Sequence, residues 1–140
     1  ANDFYDVVIV GGGVVGCTMA KVLNERMPRL KVALLEQRPA PNQKHKARGN
    51  TNRFPSPRSY ALSPRSLDLL GGELVEKLDC GYYDTMQIWE QDSAGMLVFS
   101  EADVTTEYLG ACVEDGPLVL ELWQRIKDQT SCFVQAEVHE

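Results

Sequence analysis

The chain has 140 residues, 44% of them apolar and 24% charged, which suits a single soluble globular domain able to bury a core. Its formal net charge of -6 argues against a nucleic-acid surface, and the basic run Lys44-His45-Lys46-Ala47-Arg48 is too short to reverse that. Four cysteines, Cys17, Cys80, Cys112 and Cys132, lack CxxC or metal-ligand spacing and read as buried free thiols of a reducing compartment.

Phe4 to Val10 is a nearly continuous apolar run ending in glycines, the pattern of a parallel strand buried on both faces. Val15, Met19, Val22 and Leu23 then predict the apolar stripe of a helix running from Val14 to about Met27, stopped by Pro28. Lys31 to Glu36 reads as a second buried strand, which closes a βαβ unit over residues 1–36. Residues 37–57 hold four prolines and no periodicity, and predict a long mobile loop.

Ser63-Pro64 reads as an N-cap followed by Pro at the first helical position, with Leu67 and Leu70 on the apolar face. Gly71-Gly72 ends that helix, and Glu73 to Leu78 adds a further turn. Thr85 to Glu90 and Met96 to Phe99 flank the turn residues Asp92-Ser93-Ala94-Gly95, so they predict a β-hairpin. A strand at about Leu109 to Val113 follows, then a helix opening at Asp115-Gly116-Pro117 with Val119, Leu122, Trp123 and Ile126 as its stripe. Cys132 to Val138 reads as a closing strand, and Trp89 and Trp123 are placed in the core. No segment approaches the length of a transmembrane helix, and no signal peptide precedes Phe4. The start at Ala1, without Met, fits a removed targeting segment or an artificial boundary.

The chemistry concentrates at Gly11-x-Gly13-x-x-Gly16, which follows a strand and opens a helix. The first glycine permits a tight turn, the second lets a pyrophosphate approach the backbone, and the third lets helix and strand pack closely. First-turn amides, Val15 among them, and the positive end of the helix dipole favour the phosphates. Glu36 ends the second strand at the spacing expected of a carboxylate that accepts hydrogen bonds from a ribose. An acid there suits the unphosphorylated ribose of FAD or NAD better than NADP, and the βαβ unit does not choose between those two. Gln37 and Arg38 follow directly and join the candidate cofactor-binding residues, Arg38 at the adenosine end. His45 and His139 have no partner at metal spacing, and no metal site or catalytic side chain stands out.

The segment Arg58-Ser59-Tyr60-Ala61-Leu62-Ser63-Pro64-Arg65, running on to Leu70, resembles the one that follows the first βαβ unit in class A flavoprotein monooxygenases. The nearest likeness is to the ubiquinone-biosynthesis hydroxylases. Tyr83 to Glu90 resembles their "Y…M-x-V-W-D" strand, Gly95 to Phe99 the return strand, and Leu109 to Asp115 their "G-x-x-V-E-N" segment. The four matches occur in family order and cover nearly the whole chain. Asp115 stands where the family has Asn, and its expected role is to cap the helix that starts near Pro117.

The resemblance implies an α/β fold: a Rossmann-like FAD-binding unit with the start of a mixed-sheet substrate region over about 83–113. It implies that Arg58 reaches the FAD, where a guanidinium offsets pyrophosphate charge or holds the ribityl chain. It implies FAD as cofactor, NAD(P)H as electron donor, and hydroxylation of a polyprenylated aromatic ring by O2 through a flavin C4a-hydroperoxide. A ubiquinone-synthesis complex and peripheral membrane contact follow as partners. The implied place is the matrix side of the mitochondrial inner membrane, or in a bacterium the cytoplasm beside the inner membrane. Family members continue with later flavin-site motifs that the sequence after Val113 does not supply, so the chain is expected to be an N-terminal portion. The other readings are a non-catalytic fragment or interaction module, and an NAD-dependent dehydrogenase.

Overall fold

The computed structural model describes residues 4–41 and 57–136, so most of the long loop and the last residues of the expected closing strand lie outside the described residues. In chain order the elements are β1 (Val7–Val10), α1 (Val14–Arg26), β2 (Val32–Glu36), β3 (Ser59–Leu62), α2 (Pro64–Leu70) and α3 (Gly72–Val75). Then come β4 (Gly81–Tyr83), β5 (Thr85–Trp89), β6 (Met96–Ser100), β7 (Gly110–Glu114), α4 (Asp115–Ile126) and β8 (Thr130–Val134). They divide into two compact units, Ala1–Pro57 with Asp115–Glu140, and Arg58–Glu114.

The first unit is a parallel sheet in the order β1-β2-β8. Its register aligns Val10 with Leu35 and Leu35 with Phe133, so the outer strands come from opposite ends of the chain. Central β2 is the most buried strand, with Leu34 fully enclosed. Edge strand β1 differs from the expectation of burial on both faces, because Val8 and Val10 are 54% and 67% exposed. Successive side chains of a strand point to opposite faces, and these two share the face that the helices leave bare.

Helix α1 also buries a different face from the one its large apolar residues suggest. Val15 and Met19 point outward, while Cys17, Ala20, Lys21 and Asn24 are buried. Those four fall at helical spacing, and the small side chains among them let the backbone approach its neighbours closely. The two polar members are satisfied: Asn24 Nδ2 donates to Thr130 Oγ1 at 2.9 Å, and Lys21 carries its Nζ to Glu25, 2.8 Å away. A buried polar group without such a partner costs about 1–3 kcal/mol, which is why the Asn24–Thr130 pair matters to this core.

Helix α4 buries Leu118, Leu122, Trp123 and Ile126, close to the expected stripe, with Leu118 in the buried place assigned to Val119. It starts at Asp115 itself, so the carboxylate sits within the first turn at the positive end of the helix dipole. Pro117 is tolerated there because first-turn N–H groups lack an intrahelical acceptor.

In the second unit β3 and β4 flank β7 on either side, all antiparallel. Ser63 caps α2 as expected, its Oγ accepting from the Ser66 N–H at 3.2 Å. Leu67, Leu70, Leu74, Leu78, Ala111 and Val113 are buried. Gly110 pairs with Tyr83 at the start of β7, where a Cβ would meet Tyr83 Oη at 2.5 Å and the Leu62 carbonyl oxygen at 2.6 Å. Gly110→Ala is therefore expected to lower stability by roughly 1–3 kcal/mol, read from thermal unfolding. An unchanged melting curve would show that β3 and β4 can spread at no cost.

Strands β5 and β6 form the expected hairpin, with Trp89 opposite Met96. The core position read for Trp89 is corrected: it is 70% exposed, because the hairpin has no third strand and no packed layer among the described residues. Of the four cysteines expected to be buried only Cys17 is: Cys112 is exposed on β7 and Cys80 and Cys132 are half-buried, while all four thiols are free.

Candidate functional site

The passage from β1 into α1 uses four glycines with distinct geometries, Gly11, Gly12 and Gly13 in the loop and Gly16 in the first turn of the helix. Gly11 has φ +104°, a left-handed conformation that L side chains rarely adopt, and its N–H donates to the Leu35 carbonyl at 2.8 Å. Gly13 is extended and forms the N-cap of α1 without any side chain, and its carbonyl accepts the Cys17 N–H at 3.0 Å. A Cβ on Gly13 would project into open space, with nothing within 4 Å. A Cβ on Gly16 would collide with the Gly11 carbonyl oxygen and lie 3.3 Å from Ile9 Cγ2. Close packing at Gly16 beside an open approach at Gly13 is the combination a backbone cradle for a pyrophosphate requires. The first turn of α1 has no acidic residue, so its orphan amides and positive dipole end are available to an anion.

Gly12, between them, is buried and held on both sides of its peptide groups. Its N–H donates to Glu36 Oε2 at 2.6 Å, and its carbonyl accepts the Trp123 indole N–H at 2.9 Å and the Cys17 thiol at 3.2 Å. Cys17 suits the donor role. Burial first, then the nearby Cys132 and Glu36, push its thiol up to about 12, so it stays neutral.

Glu36 ends β2 and is 7% exposed. Its second oxygen accepts from the Arg38 backbone N–H at 2.8 Å and from Arg38 Nε at 3.1 Å. Burial pushes the carboxyl up, but the hydrogen bonds from Arg38 and Gly12, with the Arg38 charge, outweigh it and hold the group below its ordinary value. Glu36 is thus an anion at neutral pH.

The structure brings Gly11, Gly13, Val15, Gly16, Glu36 and Arg38 around one loop, with the Val15 side chain pointing outward and its backbone in the first turn of α1. Gln37 follows at the exposed end of β2. Arg58 is exposed and begins the second unit, one residue before β3. Gly12 and Trp123 join the loop's hydrogen bonds without any signal in the sequence. The middle glycine of a G-x-G is formally the variable position, and no local signal ties it to a tryptophan 111 residues away.

Comparison with known proteins carries the same assignment. An uncharacterized protein of Synechocystis is 32% identical over 131 residues, 91% of this chain and 28% of that protein's length. The mitochondrial ubiquinone biosynthesis monooxygenase COQ6 of Danio rerio is 28% identical over 135 residues, 90% of this chain and 26% of its own. The chain therefore spans little more than a quarter of the length of these two relatives. The crystal structure of aklavinone-11 hydroxylase with FAD and aklavinone superposes with a TM-score of 0.59 at 21% identity, over 96% of this chain and 26% of that one. That likeness shows the fold, a mixed α/β arrangement. The family model of FAD dependent oxidoreductases matches residues 6–125, and with a cradle of this geometry the chain belongs to that family, whose cofactor is FAD.

Proposed function

We propose that the protein containing this chain is an FAD-dependent aromatic-ring hydroxylase of ubiquinone biosynthesis. The observation that carries the reading is the match to the Danio rerio monooxygenase over 90% of the chain, far beyond the glycine motif. The glycine motif alone serves many dinucleotide enzymes, whereas the Arg58–Leu70 segment and the β5–β6 hairpin resemble this hydroxylase group in particular.

Residue roles follow from the cradle. Backbone at Gly11, Gly13, Val15 and Gly16 receives the FAD pyrophosphate, and Glu36 accepts from the adenosine ribose. An ionised carboxylate has about four acceptor directions, and Gly12 N–H with the two Arg38 donors uses three. The Arg38 side chain is 70% exposed, so its guanidinium contact is weak and exchanges readily for a ribose hydroxyl. Gln37 and Arg38 then border the adenosine end, and Arg58 offsets phosphate charge or holds the ribityl chain. FAD, reduced by NAD(P)H, supplies the oxygen chemistry, and the β5–β6 hairpin belongs to the region that receives a polyprenylated aromatic substrate.

No helix among the described residues is long and apolar enough to cross a membrane. Peripheral contact with the matrix side of the mitochondrial inner membrane, within a ubiquinone-synthesis complex, fits a polyprenylated substrate. A bacterial source would place the same contact on the cytoplasmic face.

Two measurements test the proposal. Fluorescence titration should show FAD binding to this chain in preference to NAD, and the opposite preference would leave a nicotinamide dehydrogenase. Supplied with NAD(P)H, O2 and a polyprenylated phenol, the protein containing this chain should release a product heavier by one oxygen atom. NAD(P)H consumption without that product would sink the substrate assignment.

A further inference from the structure

A core tryptophan ordinarily satisfies its N–H wherever an acceptor lies close. Trp123 is 7% exposed on α4, and the acceptor it uses is the carbonyl of Gly12 in the middle of the phosphate-facing loop, 2.9 Å away. The same residue's N–H is taken by Glu36 at 2.6 Å. A Cβ on Gly12 would meet Trp123 Cζ2 at 2.7 Å and Glu36 Cβ at 3.0 Å, so ring and carboxylate close on the loop together.

We infer that Trp123 is a positioning residue for the cofactor. Its indole N–H, assisted by the Cys17 thiol, sets the peptide plane between Gly12 and Gly13, and so the aim of the Gly13 N–H toward the phosphates. The inference rests on the FAD reading for its ligand, not for its geometry. Holding the Gly12 carbonyl directs the Gly13 N–H the opposite way, because the two lie trans across one planar peptide. Without the indole, the carbonyl retains only a thiol, a weak donor. The plane can then rock, and the phosphate site must be ordered at the expense of binding. Because α4 lies in the same unit as the loop, a distant segment of chain determines whether the cradle is preformed.

The test uses this chain with FAD as the probe. Trp123→Phe keeps most of the apolar body and removes the N–H. Replacement of Trp123 by benzothienylalanine, an isostere with sulfur in place of N–H, serves if the Phe variant folds poorly. Leu118→Ala is the control, since Leu118 is fully buried on the same helix and its apolar side chain donates no hydrogen bond to the loop. The Trp123 variants should bind FAD about tenfold more weakly, the loss expected for one directed hydrogen bond, while Leu118→Ala stays within about twofold despite a lower melting temperature. In the ligand-free protein, the Gly12 and Gly13 amide resonances should shift in the Trp123 variants and not in the control. Equal affinity in all variants, or equal losses in Trp123→Phe and Leu118→Ala, overturns the inference. Should the unaltered chain fail to bind FAD, the cofactor reading fails separately. The amide resonances then decide: moved by the isostere they uphold the clamp, unmoved they overturn it.

Discussion

Gly16→Ala is expected to abolish FAD binding and to lower stability by roughly 3 kcal/mol, the upper end of what overpacking costs. The added methyl would run into the carbonyl oxygen of Gly11, and a backbone oxygen cannot turn aside as a flexible side-chain end can. Gly11 offers no relief, because its φ of +104° and its bond to Leu35 tie the turn to β2. Helix α1 would have to back away from β1, carrying its first-turn amides with it.

Gly13→Ala provides the contrast. Its methyl would enter open space, so the ligand-free protein should melt within about 1 kcal/mol of the original. FAD affinity should nevertheless fall, because the methyl occupies the approach to the loop. Thermal unfolding and FAD titration of the pair separate packing from ligand clearance. Wild-type affinity in Gly13→Ala would mean that the pyrophosphate does not cross Gly13.

Glu36→Gln should be the second large effect, and it should depend on pH. The Glu36 carboxyl is held below its ordinary value of 4.5 in the folded chain. The stability it contributes is therefore complete above that ordinary value and disappears as pH falls through the lower folded-state value. In the Gln variant this part of the acid dependence should vanish. At neutral pH the variant should be less stable by about 1–3 kcal/mol, since the amide keeps one accepting oxygen and turns its NH2 against either the Gly12 N–H or the Arg38 donors. FAD affinity should fall about tenfold or more, from loss of the charged ribose acceptor. Thermal unfolding across acidic pH, run on both proteins, reads the difference. Parallel curves would remove Glu36 from the acid dependence.

Much of the first unit was legible because its signals are local. A strand, a glycine turn, a helix and an acid at fixed offset all lie within the first 36 residues, and each depends on neighbours a few positions away. Ser63-Pro64 and the Asp92–Gly95 turn were legible for the same reason. Burial was less so. The stripe Val15, Met19, Val22 and Leu23 is apolar, yet α1 turns Cys17, Ala20 and Asn24 inward, because close approach to the sheet and to α4 favours small side chains. Trp89 looks like core by composition and is exposed, since alternation along a strand cannot state what lies against either face.

The amino-acid sequence by itself thus determined the glycine cradle, the acid at its edge and, through the segments from Arg58 onward, the kinship with FAD enzymes. Tertiary structure alone decided how the cradle is held. Parallel pairing of β8 with β2 brings α4 back over the loop, which puts the Trp123 indole on the Gly12 carbonyl. Helical periodicity marks Trp123 as inward-facing. The acceptor it finds depends on chain reversal across more than a hundred residues, which no local pattern encodes.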